Sequence, residues 1–357
     1  MGFNSKFIIN SKYLLDNIRN IRRSVEEDVK ICAIVKADAY GIGTETICPI
    51  IKDKVDFFGV ATLSEALKIR EFDKSSKILV LGVVDIEDIE ICNKNNISIS
   101  VTSLDYLFEV LKYSNIKIHL QINTGLNRFG FRSMSKFKKA ISLIEKSNCN
   151  LEGVYSHFAT KQNDLQFMKQ QFYKYLQFKK LCNVKNVLFH ISNSFGVIAS
   201  KRYNLNMVRT GMLMYGGAYY GINNKLVLSI KSKVLAIQYI KKGETIGYDR
   251  TFKSDKNMKI AVVGIGYADG LDRRLSNNFY VLIKGKKCKI VGNICMDVLM
   301  VEVNDINVFV GDEVTIIGDD NGEKITIDDM ANAINASPYE LLCRLNSKRM
   351  LKVVVSS

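Results

Sequence analysis

The first 215 residues alternate short apolar runs with amphipathic stretches, and this alternation constrains the fold more than any other feature. In the amphipathic stretches apolar residues recur every three or four positions, as in Leu63–Phe72, Ser103–Tyr113, Met134–Lys146 and Asp164–Leu181. Strands that alternate with helices build parallel sheets covered by helices. The predicted strands are Ile31–Val35, Asp56–Ala61, Ser76–Leu81, Ile97–Val101, Ile116–Ile122, Leu151–Ser156, Val187–His190 and Asn206–Arg209.

Eight strand–helix repeats within about 200 residues favour a closed barrel over an open sheet. We therefore predict an α/β fold with an N-terminal (β/α)8 TIM-like barrel. The alternative is a doubly wound open sheet, which often carries a GxGxxG turn after its first strand. No such motif follows Ile31–Val35.

After about residue 220 strands follow one another directly, separated by Gly and Asp turns. A helix over Ile327–Ile334 is predicted, with Thr326 as its cap. We expect two domains, the barrel at 1–222 and a C-terminal mainly β domain at 223–357. The predicted strands of the second domain are Val227–Ile240, Lys259–Gly264, Tyr280–Lys284, Lys289–Val291, Val298–Val303, Glu313–Ile317 and Leu351–Val355.

Composition and charge argue against several functional classes. A formal charge of +15 raises nucleic acid as a partner, but the lysines are spread along the chain and often lie beside acidic residues. The eight cysteines include no CxxC pair, which indicates reduced thiols rather than a zinc site or disulfides. The chain has no apolar run long enough to span a membrane and no signal-peptide pattern. We expect a cytoplasmic protein that binds neither nucleic acid nor membranes.

Residues 32–43 read CAIVKADAYGIG and place Lys36 where an apolar strand stops. Small residues and glycines follow at once, which predicts a turn at the mouth of the barrel, where active sites of this fold lie. A partly desolvated lysine has its charged form disfavoured and can act as a nucleophile that bonds to a carbonyl. A solvated lysine after a strand is the ordinary alternative.

Other polar residues also follow predicted strands. Taken alone, His157 could be a buried core histidine and Arg128 a solvated loop charge. Together they indicate a site for an anionic, aromatic ligand, and the Ser194 hydroxyl with the amides of Gly211 and Met212 suits a phosphate. The candidate residues at this rim are Lys36, Tyr40, Arg128, His157, Ser194, Arg209 and Gly211.

These stretches resemble the motifs of the alanine racemase family, and the resemblance covers essentially the whole chain. It implies pyridoxal 5'-phosphate (PLP) bound covalently to Lys36 and an isomerase that racemises amino acids. By the same resemblance Arg209 faces the pyridine nitrogen, His157 supports the ring, and Arg128 reaches the substrate carboxylate. The implied phosphate ligands are Tyr40, Ser194, Gly211 and Met212. The motifs are VKADAYG, NTGLNR, YSHFAT, HISNS, VRTGMLMYG, IGYDRTF, GYADG and NICMDV.

The resemblance also implies a second base, Tyr248 in IGYDRTF, opposite Lys36. Racemisation needs one base on each face of the substrate's α-carbon, which accounts for a lysine and a tyrosine. In the family the tyrosine enters the site of the partner subunit, so we expect a homodimer with composite active sites. The implied substrate-side residues are Tyr267, Met296 and Asp297.

Three positions depart from the family pattern. Ile42 stands where AYGHG has a histidine, and Gln121 stands where several members carry a carbamylated lysine. Ser347 lies about where some members have a tyrosine that contacts phosphate. We expect alanine as the substrate and D-alanine for peptidoglycan precursors as the product. The alternatives are a serine or broad-specificity racemase, a PLP-dependent decarboxylase of the same two-domain plan, or a PLP-binding protein without turnover.

Overall fold

The computed structural model describes residues 4–160, 164–217, 223–345 and 347–356. In these residues a short strand, β1 (Lys6–Asn10), precedes a regular alternation of strands and helices. The alternating strands are β2 (Lys30–Ile34), β3 (Phe57–Val60), β4 (Lys77–Val80), β5 (Ile97–Val101), β6 (Lys117–Gln121), β7 (Asn150–Tyr155), β8 (Leu188–His190) and β9 (Met207–Thr210). The helices are α1 (Ser11–Ser24), α2 (Lys36–Tyr40), α3 (Thr44–Ile51), α4 (Leu63–Phe72), α5 (Ile89–Lys94), α6 (Leu104–Val110), α7 (Met134–Glu145), α8 (Leu165–Lys179), α9 (Ser194–Ala199) and α10 (Met212–Tyr215).

Within the described residues the eight alternating strands form one parallel sheet that closes almost completely into a barrel. Their order is β8-β7-β6-β5-β4-β3-β2-β9. Two backbone hydrogen bonds join the ends of this sheet, from the Asn206 N–H to the Phe189 carbonyl and from the Arg209 N–H to the Ser192 carbonyl, each at 3.0 Å. The predicted (β/α)8 TIM-like barrel is confirmed, and its strand ends differ from the predicted ones by single residues.

The second half is mainly β, as predicted. The central strand is β10, whose first part pairs with β1 and β17 and whose last part pairs with β13. A register shift between Val234 and Ala236 separates the two parts, because a bulge bends a strand and changes its pairing. The strands are β10 (Leu228–Ile240), β11 (Thr245–Ile246), β12 (Phe252–Lys253), β13 (Met258–Val263), β14 (Tyr280–Ile283), β15 (Lys286–Lys289), β16 (Leu299–Glu302), β17 (Glu313–Asp320), β18 (Glu323–Ile325) and β19 (Leu351–Val355). The helices are α11 (Ile327–Ala333) and α12 (Pro338–Arg344).

Strand β1 lies in the second sheet, although it belongs to the stretch 1–222 that we assigned to the barrel. It pairs antiparallel with β10 and parallel with β19, and it buries Phe7 and Ile9 completely. Sequence analysis did not identify this strand because its partners lie at the other end of the chain. The expected boundary at 222/223 adjoins residues 218–222, which are outside the described residues, so it stays a prediction.

One predicted strand was misplaced. We expected a strand over Lys289–Val291, but β15 begins three residues earlier, at Lys286. The turn before it consists of Lys284 and Gly285, both with positive φ (54° and 75°), as in the two-residue turns that suit hairpins. Residues 284–289, which read KGKKCK, are therefore a two-residue turn followed by β15, and β15 pairs with β14.

Candidate active site

A cavity of about 620 Å³ lies at the carboxyl ends of the barrel strands. Parallel strands bring the residues that follow them to the same rim, which is why motifs far apart in sequence meet here. Met212 lies behind this lining as a fully buried side chain. The predicted residues that line the cavity are Lys36, Tyr40, Arg128, His157, Ser194, Arg209 and Gly211.

Lys36 opens α2, which is a left-handed helical turn. Residues 37–40, none of them glycine, have φ between 52° and 57°. The Ala39 N–H donates to the Val35 carbonyl at 2.9 Å, and the Gly41 N–H donates to the Ala37 carbonyl at 2.8 Å. Such a conformation costs about 1–2 kcal/mol for each non-glycine residue. The surroundings of this turn must therefore hold it in place.

Two carboxylates hold the turn. Glu65 accepts hydrogen bonds from the Ala37 N–H and the Ala61 N–H, both at 2.7 Å. Asp38 accepts from the Thr44 N–H at 2.8 Å, which ties the turn to the start of α3. Backbone strain that neighbouring contacts hold in place is common at functional sites.

The environment of Lys36 favours its neutral amine. Burial, and to a lesser degree the charge of Arg128, lowers the pKa of Lys36 from its ordinary value, while Glu65 and Cys343 oppose this effect. A lysine with a lowered pKa is a better nucleophile and base near neutral pH. This is the behaviour that its position at the strand end predicted.

Hydroxyl groups and a glycine form a polar cradle beside Lys36. The Ser194 hydroxyl accepts from the Gly211 N–H at 3.1 Å and from the Leu213 N–H at 3.4 Å. A Cβ at Gly211 would lie 2.5 Å from the Tyr40 hydroxyl, so only glycine admits this tyrosine. The Gly211 amide, which we expected to bind a phosphate together with the Met212 amide, thus donates to Ser194 in this structure.

Arg209 is the buried cation of the site. Its guanidinium donates to the Ser156 carbonyl at 2.6 Å, and it contacts Nδ1 of His190 at 2.6 Å and Nδ1 of His157 at 3.3 Å. It also lies over the ring of Tyr155, 5.2 Å from the centroid. Burial, the neighbouring arginines and Lys36 lower the pKa of His157 to about 3, so this ring is neutral and accepts from Arg209.

The charge of the cavity suits an anion. Three cationic side chains line it, Lys36, Arg128 and Arg209, against one carboxylate, Glu340. The cavity offers a counterpart for each part of PLP. Its hydroxyl groups suit the phosphate, the buried guanidinium suits the ring, and a lysine with a lowered pKa suits the aldehyde carbon. The residues therefore fit the cofactor that the motifs imply.

The other predicted residues lie elsewhere, on the second domain. Tyr248 is 69% exposed, Tyr267 43% and Met296 51%. Tyr248 and Tyr267 line a separate cavity of about 530 Å³, and none of its lining residues lines the Lys36 cavity. Asp297 forms an ion pair with Arg349, which also contacts Asp269 at 3.1 Å. Within one chain the two predicted bases are thus not brought together.

Sequence analysis missed the contribution of α12 to the Lys36 cavity. This helix of the second domain supplies Tyr339, Glu340 and Cys343 to the lining. The Tyr339 ring packs edge-on against Tyr40, with centroids 5.6 Å apart. Pro338 at the first position of the helix is the signal that could have found it, because proline is favoured there.

The described part of the chain contains neither a candidate metal-binding cluster nor a candidate membrane-spanning helix. No group of three or more His, Cys, Asp or Glu side chains there is arranged to hold a metal ion. No helix among the described residues is long and apolar enough to cross a membrane. The side chain of Ser347, the position of the third departure, is outside the described residues.

Comparisons with known proteins agree with this geometry. Residues 9–219 match the family model described as alanine racemase, N-terminal domain, and residues 227–354 match alanine racemase, C-terminal domain. Alanine racemase 1 of Caldanaerobacter subterraneus subsp. tengcongensis is 36% identical, over 94% of this chain and 91% of that protein. Alanine racemase of Borreliella burgdorferi is 36% identical, over 97% and 96%. The crystal structure of alanine racemase from Bacillus anthracis with bound L-Ala-P superposes with a TM-score of 0.90 at 29% identity, covering 99% of this chain and 96% of that one. On these grounds the chain belongs to the alanine racemase family.

Proposed function

We propose that the chain interconverts L- and D-alanine, with Lys36 and Tyr248 as bases on opposite faces of the substrate. The family is PLP-dependent, and bound PLP supplies the electron sink for the charge left when the α-proton is removed. The observation that carries the proposal is Lys36 itself, an amine with lowered pKa inside a cationic cavity at the barrel rim.

The chain's own residues divide the binding of PLP between them. The hydroxyls of Tyr40 and Ser194 and the amide of Met212 would hold the phosphate. Gly211 would contribute by leaving room for the Tyr40 hydroxyl and by donating its amide hydrogen to Ser194. Arg209 would face the ring nitrogen. Hydrogen bonds to Ser156 and His190 fix its guanidinium, and because a guanidinium stays protonated, it would donate to the nitrogen without transferring a proton.

The position of His157 supports a further role in the same proposal. Its neutral ring accepts from Arg209, so it orients the guanidinium without adding positive charge. Arg128 lies in the same cavity, exposed at its mouth, where it binds the carboxylate of the incoming amino acid.

The second base comes from a second copy of the chain. Tyr248 is exposed and lies on a different cavity from Lys36, which is what a base that works in the partner subunit requires. A closed two-fold dimer can place each domain's exposed face over the partner's barrel rim. Tyr267, Met296 and Asp297 approach the substrate from that same face.

The proposed substrate is a small amino acid. Alanine is the expected substrate, and D-alanine formed in the cytoplasm would supply peptidoglycan precursors. The small residue Ser347 motivates a test with serine as well. Comparing kcat/KM for L-serine and L-alanine in the protein and in Ser347→Tyr measures whether this position limits the side chain.

Two measurements test the function together. Purified protein is incubated with each alanine enantiomer, and the enantiomers are separated over time. Borohydride is then used to fix the cofactor, and the labelled peptide is identified by mass spectrometry. We expect conversion in both directions and a label on Lys36. A label on another lysine would overturn the assignment of the anchor, and release of CO2 without enantiomer conversion would indicate the decarboxylase instead.

A further inference from the structure

The three histidines of the chain all lie in one row of hydrogen bonds through the barrel. Arg209 Nη1 lies 2.6 Å from Nδ1 of His190, and Nε2 of His190 lies 2.9 Å from Nδ1 of His119. Nε2 of His119 lies 3.0 Å from Oε2 of Glu152. His157 contacts Arg209 from the cavity side. The row therefore connects the buried arginine of the active site to a carboxylate.

This row crosses the barrel from one mouth to the other. His119 lies on β6, Glu152 on β7 and His190 at the end of β8, three neighbouring strands of the sheet. Both histidines have no exposed surface. Glu152 lines a second cavity, of about 640 Å³, together with Lys30 and Lys77, the residues at which β2 and β4 begin. The row thus ends at the mouth opposite the active site.

The backbone makes room for this row. The pairing of β6 with β7 shifts register between Ile118 and His119. Opposite His119 stands Gly153, where a Cβ would lie 2.2 Å from the Nδ1 of the imidazole. The ring of Tyr155 stacks on His190 with an interplanar angle of 10° and centroids 5.0 Å apart. A bulge and a glycine at the same place indicate that the ring position is specified by the sequence.

The direction of every proton in the row follows from donor counting. A guanidinium has donors only, so Nδ1 of His190 must accept from Arg209. His190 then carries its proton on Nε2 and donates it to Nδ1 of His119. His119 in turn carries its proton on Nε2 and donates it to Glu152. Both rings are therefore neutral with the proton on Nε2, because a second proton on either ring would place two donors face to face.

We propose that Glu152, His119 and His190 are positioning residues of the active site. The carboxylate of Glu152 fixes the tautomers of both rings, so that His190 always presents an acceptor to Arg209. The row also connects the buried guanidinium of Arg209 to the distant carboxylate of Glu152. This role in catalysis rests on the proposed function, since Arg209 matters there as the residue that faces the cofactor ring.

Charge and burial support this assignment. Burial raises the pKa of Glu152, but the hydrogen bonds from His119 and Ser98 oppose this effect and help to hold the pKa below its ordinary value. Oε2 of Glu152 accepts from both of these groups, as an ionised carboxylate oxygen does. Burial and the charge of Arg209 lower the pKa of His190 well below its ordinary value. An arginine as buried as this one needs fixed acceptors, because an unpaired buried charge is strongly destabilising.

The first test locates the protons directly in the unmodified protein. The protein is labelled with 15N-histidine, and long-range 1H–15N correlation spectra are recorded at about pH 7, where tautomers of neutral rings are distinguished. With three histidines in the chain, single His→Gln variants assign the signals. We expect both His119 and His190 as neutral rings protonated on Nε2. A proton on Nδ1 of either ring, or a doubly protonated His119, would overturn the proposed order.

The second test removes the carboxylate and keeps its shape. In Glu152→Gln we expect the ring signals of His119 and His190 to shift, kcat for alanine to fall about 10-fold and KM to stay unchanged, the magnitude typical of a lost outer-shell partner. The matched control is Asp56→Asn, a carboxylate that lines the same mouth but has no hydrogen bond to the row. Unchanged His190 signals or an unchanged kcat in Glu152→Gln would overturn the positioning role.

The two proposals fail in different ways. If the unmodified protein does not racemise alanine, the proposed function fails, while the tautomers still decide whether the row is ordered by Glu152. If racemisation is normal but the tautomers are reversed, only the row fails. Thermal unfolding midpoints of Glu152→Gln and Asp56→Asn show whether a lower kcat reflects a less stable protein.

Discussion

The two proposed bases lie in the Lys36 cavity and on the Tyr248 surface, which is formed by Tyr248 and the cavity that it lines with Tyr267. The two regions differ in how far their side chains are exposed. Several residues that line the Lys36 cavity are buried and hydrogen-bonded, with Arg209 only 3% exposed and Ser194 4%. On the second domain Tyr248 is 69% exposed, and the cavity beside it opens to solvent. A site that binds a cofactor gains from side chains that are already fixed in position. An exposed tyrosine offers both an apolar ring and a polar hydroxyl, which suits the proposed interface.

Within the described residues Lys36 and Tyr248 line separate cavities. The barrel rim has its lysine, its guanidinium and its polar cradle from residues of the same chain. Even the second domain contributes to this rim, through Tyr339 on α12. Among the described residues, no lysine lines the cavity beside Tyr248, which is consistent with the partner barrel that we propose there.

The largest effect should come from Lys36→Ala. We expect racemisation to fall by about 10⁴-fold or more in both directions, because in the proposed function this residue is both the cofactor anchor and a base. The measurement is enantiomer separation, with the absorbance of the cofactor followed alongside. The control is Lys201→Ala, a lysine that is 68% exposed and paired with Glu26. Retained activity in both directions would show that the barrel region is not the catalytic half.

Tyr248→Phe should have the next largest effect, and it should depend on direction. In the family the lysine takes the proton from the D-isomer and the tyrosine takes it from the L-isomer. We therefore expect abstraction of the α-proton from L-alanine, followed as its exchange with D2O, to slow by at least roughly 100-fold, the loss typical of a general base, and to slow more than abstraction from D-alanine. The control is Tyr239→Phe, a 78% exposed tyrosine of the same domain. Equally slowed α-proton exchange from both enantiomers would contradict the assignment of the faces.

Mixing these two inactive variants tests whether each active site takes its two bases from different subunits. A heterodimer of Lys36→Ala and Tyr248→Phe holds one site that lacks both bases and one intact site, if sites are shared between subunits. We expect activity to return after subunit exchange, measured together with the fraction of heterodimer. No recovery despite demonstrated heterodimers would place both bases within one chain.

Gly211→Ala should weaken cofactor binding and leave the second domain unaffected. The new methyl group would lie 2.5 Å from the Tyr40 hydroxyl, so this tyrosine must move. Overpacking of this kind costs about 1–3 kcal/mol, so we expect PLP affinity to fall about 10-fold or more. Titration of cofactor-free protein with PLP measures this. Unchanged affinity would mean that the phosphate binds away from the cradle.

The smallest predicted effect is a shift in the titration of Lys36. Arg128 is the second cause of the lowered pKa, after burial, and its positive charge disfavours the ammonium form. In Arg128→Gln the pKa of Lys36 should rise, so that pulse labelling of Lys36 by an amine reagent in cofactor-free protein needs a higher pH. Arg132→Gln, a change at an exposed arginine, is the control. A shift to lower pH would contradict the assigned cause.

Features with a short sequence period could be predicted from the sequence. The barrel strands followed from alternation, since a buried parallel strand reads as a short apolar run wherever it lies. The residues at the rim followed from the same pattern, because each comes directly after such a run. The position of β1 could not be predicted, since its pairing with β10 and β19 depends on which distant strand is free.

By itself the sequence predicted the fold class, the family motifs and Lys36 as the proposed anchor of the cofactor. Only the tertiary structure decided how those residues are held: the left-handed turn after Val35, the bond from the Gly211 amide to Ser194, and the row from Arg209 to Glu152. It also separated Tyr248 from Lys36. The physical reason is range, because periodicity and motifs act between near neighbours in the chain, whereas proton order and burial depend on groups that meet only when the barrel closes.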